Sequence, residues 1–138
     1  MSSHSQIKRN TISISVSYPV TLEQMAMLTS AVVRGSEKAL IIADLPFGSY
    51  QISPEQAVES SIYMTKEGGA QGVKLEGGIE VVPQIEKIIA SGIPVVGHLG
   101  LTPQSVNAIG GYKIQGKGAD ADRVLADAVA LEKAGIIA

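Results

Sequence analysis

The chain has 138 residues, enough for one domain at most; 45% are hydrophobic, 17% charged and only 4% aromatic, so a core must be built from aliphatic side chains. A net charge of −2 offers no basic field for nucleic acid or an anionic membrane. The lack of cysteine excludes disulfides, zinc–thiolate sites and thiol nucleophiles, and no apolar run reaches the length of a membrane span.

Residues 1–17 differ from the rest: they are rich in serine, carry Lys8 and Arg9, and have no acid. A transit peptide shares that composition, but its amphipathic Arg-rich helix is missing, and the segment reads as an ill-defined start. Alternation over Thr11–Ser17 suits a strand. Thr21 and Gln24 then form a capping-box pattern for a first helix, with Leu22, Met25, Leu28, Val32 and Val33 as its apolar stripe and Gly35 as its end. Met25 and Met27 read as core filler. Ala39–Asp44 is an aliphatic run that reads as a buried strand ending on a carboxylate.

Ser53, Pro54 and Gln56 supply cap, first-turn proline and box residue for a second helix running to about Glu67. Gly72–Glu76 is a second strand, and a third helix covers about Val81–Ala90, with Pro83 tolerated in its first turn. Ile93–His98 is a third strand. A long loop, Gly100–Gly118, holds one short helical turn near Pro103–Asn107. The last helix starts at Asp120 or Asp122, runs to about Lys133 and closes at Gly135; Ile136–Ala138 reads as the start of a fourth strand. Gly111–Lys117 imitates a P-loop, but Gly118 stands where a hydroxyl is needed and no strand precedes it, so it reads as a flexible loop.

Strands alternating with helices imply βαβ units around a parallel sheet, whose ligands sit at the C-terminal strand ends. Within Gly72–Glu76, Val73 and Leu75 share one face and Lys74 and Glu76 the other. The charged pair would then point away from the covering helices, where it needs a partner or a ligand. Each complete strand carries a polar residue at or near that end: Asp44, Lys74 with Glu76, and His98. Singly, each has an ordinary explanation as a loop carboxylate, a structural ion pair or a satisfied histidine. Together, two carboxylates, an ammonium and an imidazole suit a divalent-metal site for an anionic substrate, with Mg²⁺ on oxygen ligands and lysine facing a carboxylate or developing oxyanion.

Ala-Asp-Leu-Pro-Phe at 43–47, Val-Lys-Leu-Glu-Gly-Gly at 73–78, Gly-His-Leu-Gly-Leu-Thr-Pro-Gln-Ser-Val at 97–106 and Gly-Gly-Tyr-Lys-Ile-Gln-Gly at 110–116 closely resemble the ketopantoate hydroxymethyltransferase family. The likeness covers 18–138 and leaves 1–17 unmatched. It implies an α/β fold, part of a (βα)8 TIM barrel of the phosphoenolpyruvate/pyruvate type with about three complete parallel strands and flanking helices. It implies hydroxymethyl transfer from 5,10-methylenetetrahydrofolate, the co-substrate, to 3-methyl-2-oxobutanoate through a Mg²⁺-stabilised enolate, giving 2-dehydropantoate for pantothenate and coenzyme A synthesis. On that resemblance Asp44 is a metal ligand that also touches substrate, Lys74 binds substrate, Glu76 is a second metal carboxylate and His98 lines the site.

Family members are homo-oligomers of the bacterial cytoplasm or of mitochondria, which implies a protein that is not secreted. Two family features lack a counterpart here: a preceding strand ending in Gly-Asp-Ser, and the general-base glutamate on the strand starting near Ile136. The chain therefore reads as a fragment with little or no activity alone. The alternatives are another metal-dependent 2-oxo-acid carbon–carbon enzyme of the same superfamily, a non-catalytic fragment associating with full-length subunits, or a small open-sheet binding domain.

Overall fold

The computed structural model describes residues 19–108, 110–111 and 114–138. The expected strand at Thr11–Ser17 and the boundary at residue 17 lie outside them, as do Tyr112 and Lys113 of the P-loop look-alike. Helix α1 spans Leu22–Arg34, strand β1 Ile42–Asp44, helix α2 Pro54–Lys66 and strand β2 Gly72–Glu76. A 3-10 turn at Ile79–Val81 leads into helix α3, Val82–Ala90; strand β3 is Val95–His98, and a second 3-10 turn, Pro103–Ser105, precedes helix α4, Asp120–Ala134. The strands form one parallel sheet in the order β1-β2-β3. No described helix is long and apolar enough to cross a membrane.

The sheet has two unlike faces. Ala43, Val73, Leu75 and Val95 are buried beneath the helices, together with Ala57, Met64, Ile85, Ile88 and Leu131. Each fully buried aliphatic side chain of this kind contributes roughly 2 kcal/mol through its removal from water, more than any one cap or surface ion pair. Gly97 lets α4 approach β3: a Cβ there would stand 2.9 Å from Leu131 Cδ1. After α4 the chain runs beside β3, with Ile137 N bonding Val95 O and Gly97 N bonding Ala138 O, both at 2.9 Å. These are bonds of the kind the expected fourth strand would make.

Two strands are shorter than their apolar runs. Residues 39–41 stay outside β1: Leu40 is exposed, and the Ile41 N–H is taken by the Gln71 side chain rather than by a neighbouring strand. β3 begins at Val95 because Pro94, which has no N–H, stands immediately before it. An aliphatic run in the sequence marks where a strand can form, but backbone pairing sets its ends.

The helix signals held in part. Thr21 and Gln24 close a full capping box on α1. Its buried face is not the expected stripe, however: Ala26 and Thr29 are buried, whereas Leu28 and Val32 are exposed, and Met27 is outside the core altogether. Small residues let α1 approach closely, with Thr29 Cβ against Gly68. Ser53 caps α2 as expected, but Gln56 bonds the Ile52 N–H and the Gly48 carbonyl instead of returning to Ser53, so that box stays open. The loop turn at Pro103–Ser105 and the start of α4 at Asp120 fall where the sequence placed them.

Candidate active site at the strand ends

Register builds the site. Asp44 on β1 lies beside Lys74 on β2, and Glu76 on β2 beside His98 on β3. Lys74 and Glu76, two residues apart, share a face by the pleat. All four therefore belong to the face opposite the helix-covered core, at the C-terminal ends of the strands.

They form one chain of contacts. Lys74 Nζ lies 2.8 Å from Asp44 Oδ1 and 3.1 Å from Oδ2, and 3.2 Å from Glu76 Oε1. His98 Nδ1 stands 3.4 Å from that same Glu76 oxygen. The side chains grade from inside to outside: Glu76 is 5% exposed, Lys74 19% and Asp44 49%. Glu76 is thus the more enclosed of the two carboxylates and Asp44 the more open one. Partial withdrawal from water pushes the Asp44 carboxyl above its ordinary pKa; the Lys74 hydrogen bond and charge oppose this, and the Glu76 charge adds to it. Two carboxylates and one ammonium leave one formal negative charge in excess, a cluster that attracts a cation before it attracts an anion.

Around this row lies a second, neutral layer that the sequence did not reveal. Gln104, in the 3-10 turn after β3, donates its backbone N–H to Glu76 Oε2 at 2.9 Å. Its side chain accepts from the Tyr50 hydroxyl at 2.7 Å and donates to the Leu45 carbonyl at 2.9 Å. The Tyr50 hydroxyl accepts from the Glu76 backbone N–H at 3.2 Å, and burial pushes its pKa up, so it stays a neutral phenol. Gln104 stood inside the long His98 motif without any periodic signal to mark it, and Tyr50 stood in a loop.

The glycines after Glu76 serve packing. Gly77, at φ +136, turns the chain away from the sheet. The space beside Gly78 is filled by Asp127 of α4, whose Oδ1 accepts the Ile79 N–H at 3.1 Å. A buried carboxylate, not a ligand, therefore occupies the place that the missing side chain at Gly78 leaves. A cleft of about 240 Å³ between the start of α1 and the β1–α2 loop contains none of the four clustered residues.

As a metal site the cluster supplies two carboxylates. Among the described residues no three His, Cys, Asp or Glu side chains converge as a ligand set. Mg²⁺ is commonly held by one or two carboxylates, with water or substrate oxygens completing its shell, so these hard oxygen donors and their excess negative charge fit that ion.

Comparison with known proteins matches this chain, over residues 8–138, to the family model described as ketopantoate hydroxymethyltransferase. A 3-methyl-2-oxobutanoate hydroxymethyltransferase of Thermobifida fusca is 58% identical over 119 residues, covering 86% of this chain and 42% of the relative. Proteins of the same name are 54% identical in Frankia alni, over 87% of this chain and 40% of theirs, and 51% identical in a Nocardioides species, over 94% and 44%. The chain spans about two fifths of the length of these curated relatives.

Proposed function

The chain belongs to the ketopantoate hydroxymethyltransferase family, and from that premise we propose that its strand-end cluster binds and polarises 3-methyl-2-oxobutanoate for hydroxymethyl transfer from 5,10-methylenetetrahydrofolate. One observation carries this reading: Asp44, Lys74, Glu76 and His98 are linked side chain to side chain on the ligand-binding end of a parallel sheet. Asp44 and Glu76 are the residues that would hold Mg²⁺. That ion supplies Lewis-acid polarisation of the keto group, which makes the adjacent C–H bond easier to break.

The chain's own residues do the rest. Lys74, held between two carboxylates, presents a fixed cation to the carboxylate or keto oxygen of the oxo acid. Glu76, engaged by the Gln104 N–H at one oxygen and by Lys74 and His98 at the other, keeps Lys74 in place from one side while Asp44 faces the open mouth. His98 lines the wall over Glu76. Two carboxylates against one ammonium make the cluster net negative, so on its own it repels an anionic oxo acid; a divalent cation held by Asp44 and Glu76 would offset that charge.

Calorimetry of the chain with 3-methyl-2-oxobutanoate, with and without Mg²⁺, tests the proposal. Binding is expected only with the ion, and to weaken by about tenfold or more in Lys74→Met, the loss of a charge-assisted contact. Binding that ignores both the ion and Lys74 would overturn it.

A further inference from the structure

We infer that Gln104 is the positioning residue of this site: it holds the Glu76 carboxylate in one orientation through a hydrogen-bonded strap laid across all three strand ends. The inference rests on the reading of Glu76 as an oxygen donor of the site.

A glutamate has three side-chain torsions, so its carboxylate points in a defined direction only if both oxygens are engaged. Oε1 is turned toward Lys74 and His98; Oε2 is held by the Gln104 N–H alone among the described contacts. That N–H belongs to a three-residue turn in the loop between β3 and α4, where no regular ladder fixes the backbone. What anchors the turn is the Gln104 side chain. It crosses from the loop after β3, over the end of β2, to the Leu45 carbonyl just past β1. Its oxygen also receives the Tyr50 hydroxyl and, at 3.2 Å, Gln51 Nε2 from the loop after β1.

The Tyr50 hydroxyl has a single proton. It lies 2.7 Å from Gln104 Oε1 and 3.2 Å from the Glu76 carbonyl, so the proton goes to the nearer oxygen, leaving a lone pair for the Glu76 N–H. Gln104 and Tyr50 thus grip Glu76 at both ends, one at the carboxylate and the other at the backbone. Gln104, Tyr50 and Glu76 are all buried, so these bonds form away from competing water. Partners that orient a ligating carboxylate typically change metal affinity by about 10–100-fold when removed.

The test uses the whole chain with Mn²⁺ as the metal probe, read by electron paramagnetic resonance. It also follows ¹³C NMR of the Glu76 carboxyl carbon and hydrogen exchange of the position-104 amide. In Gln104→Ala the Mn²⁺ affinity is expected to fall about tenfold, the Glu76 carboxyl resonance to shift, and amide exchange at 104 to accelerate at least tenfold. Faster exchange with unchanged affinity and an unchanged Glu76 resonance would make Gln104 a mere loop pin and overturn the inference. Should the unsubstituted chain bind no Mn²⁺, the metal reading falls, and the Glu76 resonance alone decides: a shift in Gln104→Ala supports positioning and no shift overturns it. If Gln104→Ala fails to fold, Tyr50→Phe, which deletes one hydroxyl, decides by the same signals in the same directions.

Discussion

Asp44 and Lys74 stand side by side in the β1–β2 register, and the lysine Nζ sits within 3.1 Å of both aspartate oxygens. The pair closes one end of a row that passes through Glu76 to His98. Its energetics depend on burial. Asp44 is half open to water and would by itself gain little from the lysine, whereas Glu76 is enclosed and needs that cation.

Lys74 is therefore predicted to contribute to stability mainly through Glu76. Lys74→Met should lower unfolding free energy by about 2 kcal/mol, the scale of a hydrogen bond to a charged group. Asp44→Asn should change it by less than about 1 kcal/mol, as for an exposed pair. Urea unfolding of the two variants measures both, and equal losses would contradict the inside-to-outside gradient.

Gly78 and Asp127 should be coupled. A Cβ at 78 would overlap the Asp127 carboxylate, so Gly78→Ala is expected to cost about 1–3 kcal/mol by overpacking. Asp127→Ala removes the obstacle along with the bond to Ile79 N. The double variant should lose less than the sum of the two single losses, by 0.5 kcal/mol or more on the scale typical of contacting residues. Additive losses in a double-mutant cycle would mean the carboxylate moves aside freely.

The α1 cap is a local test. Thr21 accepts the Gln24 N–H and Gln24 returns the bond, so Thr21→Ala should cost about 1 kcal/mol. Because Gln56 does not close a box on Ser53, Gln56→Ala should leave the α2 cap bond intact. Its cost should instead appear as faster amide exchange at Ile52, whose N–H that side chain accepts.

Asp120 predicts a pH dependence at the start of α4. The Gly116 backbone N–H, and then Arg123, hold its carboxyl below the usual aspartate range. A depressed folded pKa means that its stabilising effect is complete above the unfolded value, near 3.9, and fades as pH falls through the folded one. Hydrogen exchange at Gly116 should quicken over that acidic window, and Asp120→Asn should abolish the transition while leaving exchange elsewhere in α4 unchanged.

Much of the molecule was legible in its amino acids because the signals concerned are local. Aliphatic runs, Thr21 and Ser53 caps, glycine stops and the period-two alternation of Gly72–Glu76 depend only on near neighbours and burial. They determined a parallel α/β order, and they put Asp44, Lys74, Glu76 and His98 at strand ends. The motifs around those residues carried the family. Only the tertiary structure decided which face of α1 is buried, because close approach to α2 favoured Ala26 and Thr29 over larger apolar neighbours. Only it decided that Gln104 and Tyr50 grip Glu76 and that Asp127 fills the space beside Gly78. Those contacts join residues separated by 26 to 54 positions along the chain. They obey no periodicity, and a buried hydrogen bond between distant segments comes into being only when the chain between them has folded.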